Sequence, residues 1–384
     1  MYLVTMIIFL DQYRVIYSPP IQATSKIYTL IYSIFVHKNQ SFSIKMLPTF
    51  AILSASALLV RRKMKQLEPV WSFGFGSNMD VSFVENKKGH KVLDNKAGVV
   101  HGWKMSFNLQ GMSFVEPAFA NAVPAAPQDN IHGVAILLSP LDVRKLQEQE
   151  RGYDIHWVNV ECYDGSTVKA FIFSRPPKES DTAFPLEKQL PSRRYLNILL
   201  NGAKAAGLQK EYLVRLEKQP IYTPNNAVIQ KRKVLLNPTH LKSISMTELW
   251  QTRAVSIGTT KEENGTEKNE PGEFAYTSIF GYVLKLPRKK VWFKSHLGRD
   301  LTARFSRHYN GISMDKNDDL GKPPYPSLKE MNPLQMEYIM QWMDFYLSRE
   351  PEIVGYLTEF LKEQDVWKEM DCLIDRAQKA FAAL

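Results

Sequence analysis

An alternation of large and small residues is the feature that most constrains this 384-residue chain. Residues 71–78 read Trp-Ser-Phe-Gly-Phe-Gly-Ser-Asn. A period of two predicts a β-strand, and the Gly-Ser-Asn run predicts a loop directly after it. Such a loop exposes backbone N–H groups that can hold a carboxylate or a developing oxyanion. A simple turn is the alternative, and a phosphate loop is excluded because no Gly-Lys-Ser/Thr follows.

Strand and helix patterns continue as far as Gly207. Apolar runs predict four more strands at Val99–Val100, Ile131–Leu138, Val158–Tyr163 and Val168–Phe173. Ser139-Pro140 is typical of a helix start, and Gly152 is typical of the stop that follows a helix. A second helix is predicted to open at Pro191-Ser192 and to end at Gly207.

Glu150 is placed by this pattern at the C-terminal end of the first, short helix. The helix dipole is negative there and disfavours ionisation of a carboxyl group, and burial would act in the same direction. A carboxyl group in that setting suits general acid–base catalysis near neutral pH. The alternative is a solvated glutamate on a charged helix, like Glu148, and helix position alone favours that alternative.

The net charge of +10 is concentrated at the front of the chain. Residues 1–70 carry eight Lys or Arg and two Asp or Glu, a net charge of +6. The remainder is close to balance, so a polyanionic partner is not needed to explain it. We therefore predict no nucleic-acid partner. Membrane contact through residues 1–65 and a homodimer are both left open.

Three apolar blocks occupy the front segment, at Tyr2–Leu10, Ile27–Val36 and Leu47–Val60. Each is shorter than the roughly 18–20 residues that span a bilayer. Basic residues follow the third block instead of preceding it, unlike a secretory signal. We expect residues 1–69 to be a basic, apolar extension that is disordered, or else a targeting or anchor segment.

The chain contains only two cysteines, Cys162 and Cys372. Two cysteines cannot form a disulfide framework, which favours a reducing compartment. We therefore expect a cytoplasmic location, with a membrane-anchored or secretory location as the alternative.

The character of the sequence changes after about residue 224. Lys231–Lys233 and Thr259–Gly272 have linker composition, whereas Tyr276–Leu286 is a single strand-like run. Asn332-Pro333 is typical of a helix start. We expect residues 225–384 to form a mainly helical α+β region whose role the sequence does not give.

The end of this region predicts a helical tail. Its first helix carries an aromatic stripe that is more typical of a helix core than of a ligand site: Trp342, Phe345 and Tyr346. Pro351 breaks the pattern, and two further amphipathic segments continue to Leu384.

Six short motifs, in this order, resemble those of γ-glutamylcyclotransferases. They are Phe-Gly-Ser-Asn-Met at 75–79, Gly-Trp-Lys-Met-Ser-Phe at 102–107, Gly-Val-Ala-Ile at 133–136, Leu-Gln-Glu-Gln-Glu at 146–150, Pro-Ser at 191–192 with Tyr195, and Gly-Ala-Lys-Ala-Ala-Gly-Leu at 202–208. The resemblance covers about residues 71–224 and implies a catalytic domain at 70–224.

The resemblance implies an α+β fold, a mixed barrel with short helices. It implies a carbon–nitrogen lyase of glutathione metabolism, which releases an amino acid from an L-γ-glutamyl-amino acid and forms 5-oxoproline. Glu150 matches the catalytic glutamate, as general base and then general acid. The substrate-binding positions it implies are Ser72, Phe73, Gly74, Phe75, Gly76, Ser77, Asn78 and Tyr195. It implies a small γ-glutamyl substrate as partner, no metal and no cofactor.

Three positions depart from the family pattern. Phe75 stands where Tyr is usual, Arg151 intervenes between Glu150 and Gly152, and Trp157 stands where Tyr is frequent. Two alternatives therefore stay open: a non-catalytic protein that binds a γ-glutamyl compound, and a cyclotransferase for γ-glutamyl amines.

Overall fold

The computed structural model describes residues 68–175, 190–235, 240–257, 260–261, 267–268, 272–290, 293–309 and 331–363. The predicted N-terminal extension up to residue 67, Cys372 and the part of the predicted amphipathic segments beyond residue 363 lie outside these residues. Across the described ranges, every helix is too short or too polar to cross a bilayer.

Seven strands lie in the first part of the described chain. They are β1 (Val70–Gly74), β2 (Val92–His101), β3 (Trp103–Met112), β4 (Glu116–Pro124), β5 (Asn130–Leu138), β6 (Asp154–Cys162) and β7 (Thr167–Ser174). Five of them close into a barrel in the order β1-β5-β2-β6-β7, with β1 parallel to β7 and the other pairs antiparallel. The prediction of a mixed barrel is confirmed, as are its five predicted strands.

The β3–β4 hairpin lies outside the barrel order and was not predicted as strands. Its turn includes Phe114, whose φ of 72° is a left-handed conformation that a bulky residue rarely adopts. A turn without Gly, Asn or Pro at that position gives little sequence signal.

Four helices accompany these strands: α1 (Val81–Asn86), α2 (Pro140–Gln149), α3 (Arg193–Ala205) and α4 (Lys210–Glu217). The starts of α2 and α3 are the predicted ones, because Ser139 and Ser192 each accept a hydrogen bond from the backbone N–H three residues later. The predicted stops are also present, since Gly152 and Gly207 have φ values of 95° and 66°.

The ends of β1 and β5 approach each other so closely that only glycine fits. A Cβ at Gly133 would lie 2.2 Å from the carbonyl oxygen of Gly74. A Cβ at Gly74 would lie 2.5 Å from the carbonyl oxygen of Asn78. The two glycines therefore allow the loop after β1 to lie close against the barrel strand.

His132, on β5, should make the stability of the protein depend on pH. Its buried ring stacks on Tyr212, and burial, followed by the charge of Arg215, lowers its pKa to about 4. The stability that the buried neutral ring contributes is therefore complete above pH 6.5 and is lost as the pH falls toward 4. Between pH 7 and pH 5 the wild type should lose about 2 kcal/mol more unfolding free energy than His132→Gln. Urea denaturation of both proteins at the two pH values measures this difference, and equal losses would contradict it.

The rest of the described chain contains further strands and helices around a second sheet. The helices are α5 (Asn226–Lys231), α6 (Met246–Ile257), α7 (Thr302–Tyr309) and α8 (Pro333–Leu347). The strands are β8 (Ser243–Ile244), β9 (Thr260–Lys261), β10 (Glu267–Lys268), β11 (Phe274–Ile279), β12 (Tyr282–Pro287) and β13 (Glu352–Leu357). A four-stranded sheet has the order β11-β12-β13-β8, and β9 pairs with β10.

The helix α8 agrees with its prediction in detail. Asn332 and Gln335 form a complete capping box, and Pro333 opens the helix. Trp342, Phe345 and Tyr346 are buried in the apolar core, as the core interpretation predicted.

Three predictions for this part were wrong. The single run 276–286 is a hairpin, because Phe280 and Gly281 adopt left-handed φ values of 52° and 80° between β11 and β12. Residues 231–233, predicted as linker, are the last residue of α5 and the first two residues of the 3₁₀ turn Arg232–Leu235. The segment after Pro351, predicted as amphipathic, begins with the strand β13, which pairs with β12.

Apolar side chains form two separate clusters. One is drawn from the barrel, α2, α3 and α4, and the other mainly from residues 235–360. Buried ion pairs connect elements around the two clusters: Arg193 to Glu337 at 3.0 Å, and Arg232 to Asp344 at 2.7 Å.

Candidate active site

The loop that follows β1 is a short 3₁₀ turn over Ser77–Met79. Its first internal hydrogen bond runs from the Met79 N–H to the Gly76 carbonyl, at 3.0 Å. The N–H groups of Ser77 and Asn78 come before that bond, and the first donors of a helical turn have no partner within it. The loop thus has the composition and geometry to present backbone donors to a ligand.

Glu150 lies at the C-terminal end of α2, where its N–H donates to the Leu146 carbonyl. Its Oε1 accepts a hydrogen bond from Asn78 Nδ2 at 3.3 Å and forms an ion pair with Lys88 Nζ at 2.6 Å. The side chain is 19% exposed, so a small molecule can reach it. The fold therefore brings together the loop after β1 and the predicted acid–base glutamate.

Lys88 was not singled out in the sequence. It follows α1, and the next residue, Gly89, has a φ of 71° that turns the chain sharply. Gln149 Nε2 donates to the Lys88 carbonyl at 3.1 Å, and Gln149 Oε1 lies 2.9 Å from His90 Nε2. The end of α2 thus holds the Lys88 loop in place beside Glu150.

The amide of Asn78 offers a second polar atom at the same place. Its Nδ2 donates to Glu150, whereas its Oδ1 is buried and accepts no hydrogen bond from any residue in the described part of the chain. A buried acceptor without a partner is costly in the free protein. A cationic N–H donor on a ligand would satisfy it.

Tyr195, near the start of α3, lies close to the loop at Gly76. Its hydroxyl accepts a hydrogen bond from the Ala120 N–H at 3.3 Å, and a Cβ at Gly76 would lie 3.7 Å from that hydroxyl. Burial, and to a lesser degree the Glu116 and Glu150 charges, raises the pKa of Tyr195. The phenol therefore keeps its proton at neutral pH and can donate it in a hydrogen bond.

Tyr153 is a second tyrosine near Glu150 that sequence reasoning missed. Its N–H lies 3.3 Å from the Glu150 carbonyl oxygen, across the turn that ends α2. Burial and then the Glu150 charge raise its pKa, so its hydroxyl also stays protonated. A lone Tyr after Gly152 gave no motif by which to select it.

The other predicted site residues lie in or next to the barrel strand. Ser72 and Phe73 are buried within β1, paired with Ile136 and Ala135 of β5. Gly74 ends that strand, and the ring of Phe75 is buried in the barrel core. Of the predicted residues 72–78, only Gly76, Ser77 and Asn78 are partly exposed. Of the departures from the family pattern, Arg151 and Trp157 are exposed.

A cleft of about 660 Å³ lies elsewhere, between the β3–β4 hairpin, α5 and the end of α8. Phe114, Tyr222, Val228 and Leu347 are among the residues that line it. None of the predicted site residues borders this cleft, so it is separate from Glu150 and the loop after β1.

Part of the chain is similar in sequence to known proteins. Residues 130–216 match the model of the AIG2-like family. The γ-glutamyl cyclotransferase gliK of Aspergillus fumigatus is 28% identical over 189 residues, which are 42% of this chain and 66% of the relative. The gliK protein of Claviceps purpurea is 29% identical over 154 residues, 38% of this chain and 67% of the relative. The chain thus spans about two thirds of the length of these curated relatives.

Two solved structures are also similar to a part of the chain. One described as a γ-glutamyl cyclotransferase is 21% identical, with a TM-score of 0.34, and the match covers 41% of this chain and 93% of that one. An uncharacterized human protein, loc79017, is 21% identical with a TM-score of 0.35, over 41% of this chain and 94% of that one. On the sequence matches, part of this chain is similar to the AIG2-like family and to γ-glutamyl cyclotransferases.

Proposed function

We propose that the chain is a cofactor-independent cyclotransferase that releases an amino acid from L-γ-glutamyl-amino acids and forms 5-oxoproline. The catalytic domain is residues 70–224. The observation that carries the proposal is the contact of Glu150 with Asn78 of the loop after β1, because it joins an acid–base group to a set of hydrogen-bond donors.

The reaction needs proximity and proton transfer. The substrate's own α-amine attacks its own γ-carbonyl, so the protein has to hold the substrate in a folded conformer. The α-ammonium first loses a proton, and the free amine then forms the new C–N bond. Its second proton passes through Glu150 to the leaving nitrogen, and the old C–N bond breaks. The products are 5-oxoproline and the free amino acid, and no electrons are transferred.

The negative charge that develops on the carbonyl oxygen needs donors. The N–H groups of Ser77 and Asn78 can supply them, either to this oxyanion or to the substrate α-carboxylate. The protonated hydroxyl of Tyr195, close to Gly76, is a third donor at the same place. The acceptors for the α-ammonium are Glu150 Oε2 and the buried Asn78 Oδ1.

A non-catalytic binding protein is the second candidate. The ion pair between Lys88 and Glu150 at 2.6 Å favours it, because it occupies one oxygen of the carboxylate that would have to transfer the protons. A cyclotransferase for γ-glutamyl amines is a variant of the first proposal and differs only in the leaving group. We propose a cytoplasmic location, which suits the buried free thiol of Cys162.

A substrate panel tests the proposal. The purified chain is incubated with γ-glutamylalanine, γ-glutamylethylamine and glutathione, and 5-oxoproline is quantified by mass spectrometry. We expect most product from γ-glutamylalanine. Binding of γ-glutamylalanine without turnover would favour the binding protein, and the absence of both binding and product would contradict both candidates.

A further inference from the structure

We propose that Lys88 binds a substrate carboxylate beside the reacting nitrogen and thereby selects substrates that carry this group. The inference rests on the proposed function and names a specificity residue for it. The carboxylate is one attached to the carbon next to the attacking nitrogen or next to the leaving nitrogen.

The two carboxylate oxygens of Glu150 differ in their hydrogen-bond partners. Both recorded donors, Lys88 Nζ and Asn78 Nδ2, bind the same oxygen, Oε1. Within the described part of the chain, Oε2 accepts no recorded hydrogen bond. The carboxylate is therefore held through Oε1, and Oε2 is the oxygen that can exchange a proton with the substrate.

The ammonium group of Lys88 has more donors than its contact with Glu150 uses. An ammonium carries three N–H donors. One of them is directed to Glu150, and the structure records no second acceptor for Nζ among the described residues. The side chain is 18% exposed, so the remaining donors are within reach of a ligand. Gln149 holds the Lys88 carbonyl and Glu150 holds the ammonium, so the position of this cation is defined before substrate binds.

The Glu150–Lys88 pair is complementary in charge to an α-amino acid group. Such a group carries its nitrogen and its carboxylate on one carbon. The pair of Glu150 and Lys88, with Oε1 and Nζ 2.6 Å apart, presents the complementary charges side by side. The nitrogen then meets Oε2 and Asn78 Oδ1, and the carboxylate meets Lys88 in a charge-assisted hydrogen bond. If Lys88 holds the glutamyl α-carboxylate, the N–H groups of the loop after β1 are left for the oxyanion.

The test compares three substrates in wild type, Lys88→Met and Lys88→Arg. γ-Glutamylalanine carries both carboxylates, γ-glutamylethylamine lacks that of the leaving group, and 4-aminobutanoylalanine lacks that of the glutamyl head. Lys87→Met is the matched control, because Lys87 is the exposed lysine beside Lys88. The quantity measured is the ratio of kcat/KM between γ-glutamylalanine and each truncated substrate.

We expect Lys88→Met to lower one of these ratios by about 10- to 100-fold, the range for a hydrogen bond to a charged group. Lys88→Arg should retain most of the preference, and Lys87→Met all of it. A lower ratio against γ-glutamylethylamine assigns the leaving-group carboxylate, and one against 4-aminobutanoylalanine assigns the glutamyl carboxylate. Lys88→Gln serves for the same comparison if Lys88→Met does not fold.

The inference is overturned if Lys88→Met lowers kcat/KM equally for all three substrates, because Lys88 would then only position Glu150. It is also overturned if kcat/KM does not fall for any of them, because Lys88 would then have no role. Inhibition by 5-oxoproline gives a readout without turnover: this product keeps the glutamyl carboxylate but has no basic nitrogen. Its inhibition constant should rise in Lys88→Met if Lys88 holds that carboxylate. An inactive wild type would contradict the proposed function itself, whereas an active wild type with unchanged ratios in Lys88→Met contradicts only the role of Lys88.

Discussion

Replacing Glu150 by glutamine should lower kcat for 5-oxoproline formation by about 100- to 10,000-fold, the usual contribution of a general acid–base group. The amide is nearly the same size and can still accept a hydrogen bond from Asn78 or Lys88 through its oxygen. It cannot take the proton from the attacking amine or return it to the leaving nitrogen. We therefore expect the loss in kcat to be much larger than any change in KM, measured by 5-oxoproline production at saturating γ-glutamylalanine.

Glu148→Gln is the matched control for this experiment. Glu148 is exposed on the same helix and forms an ion pair with Arg144 at 3.0 Å, away from the loop after β1. Its replacement removes an equal charge two residues from Glu150 and should leave kcat close to wild type. If Glu150→Gln were as active as Glu148→Gln, the assignment of Glu150 would be wrong.

The barrel strands could be predicted because both their composition and their ends are local properties. β5 and β7 are largely apolar runs, and β1 ends where two glycines and a Ser-Asn pair interrupt the alternation. The starts of α2 and α3 depend on single serine caps, which the sequence displays directly. Barrel closure, in contrast, requires β1 to pair with β5 and β7 across the chain, and the family resemblance supplied that arrangement.

The hairpin of β11 and β12 shows where local pattern fails. Its turn contains Phe280 in a left-handed conformation, and a bulky apolar residue there makes two strands look like one. Thr302 Oγ1 accepts a hydrogen bond from the Phe280 N–H, which helps to hold this turn. The stabilising partner lies 22 residues away, and no local propensity shows it.

The candidate site likewise contains residues that could be predicted from the sequence and residues that could not. Glu150 and the loop after β1 could be selected as candidates because they match family motifs that are contiguous in sequence. Lys88 and Tyr153 were missed because each is a single residue whose importance depends only on its distance from Glu150. Lysine after a short helix is most often a solvated side chain, so its position had to come from the tertiary structure.

The C-terminal part of the chain has contacts that bear on the site through α3. Glu116, at the start of β4, accepts hydrogen bonds from Ser192 Oγ and from Arg194, and Arg194 also donates to the His308 carbonyl on α7. Ser192 in turn caps α3 by accepting from the Tyr195 N–H. Burial raises the pKa of Glu116, against the opposing effects of Ser192 and Arg194. This network fixes the helix start that carries Tyr195.

Replacing Glu116 by alanine should therefore cost about 3–5 kcal/mol of unfolding free energy, because it leaves the Arg194 charge in a largely buried place without its carboxylate. It should also lower kcat in the protein that remains folded, since the cap of α3 and with it Tyr195 lose their support. Urea denaturation and 5-oxoproline production, both well below the unfolding midpoint, measure the two effects.

Asp344→Ala is the control that distinguishes a loss of protein stability from a loss of Tyr195 positioning. Asp344 is fully buried on α8 and holds Arg232 through two hydrogen bonds of 2.8 and 2.7 Å, but neither bond involves α3. Its loss should destabilise the protein by a similar amount, about 3–5 kcal/mol, and leave kcat of the folded fraction unchanged. If both variants lose activity only in proportion to their unfolded fraction, the Glu116 network supports the fold and does not position Tyr195. A kcat that falls in Glu116→Ala alone would show that the junction of β4, α3 and α7 controls the hydroxyl beside Gly76.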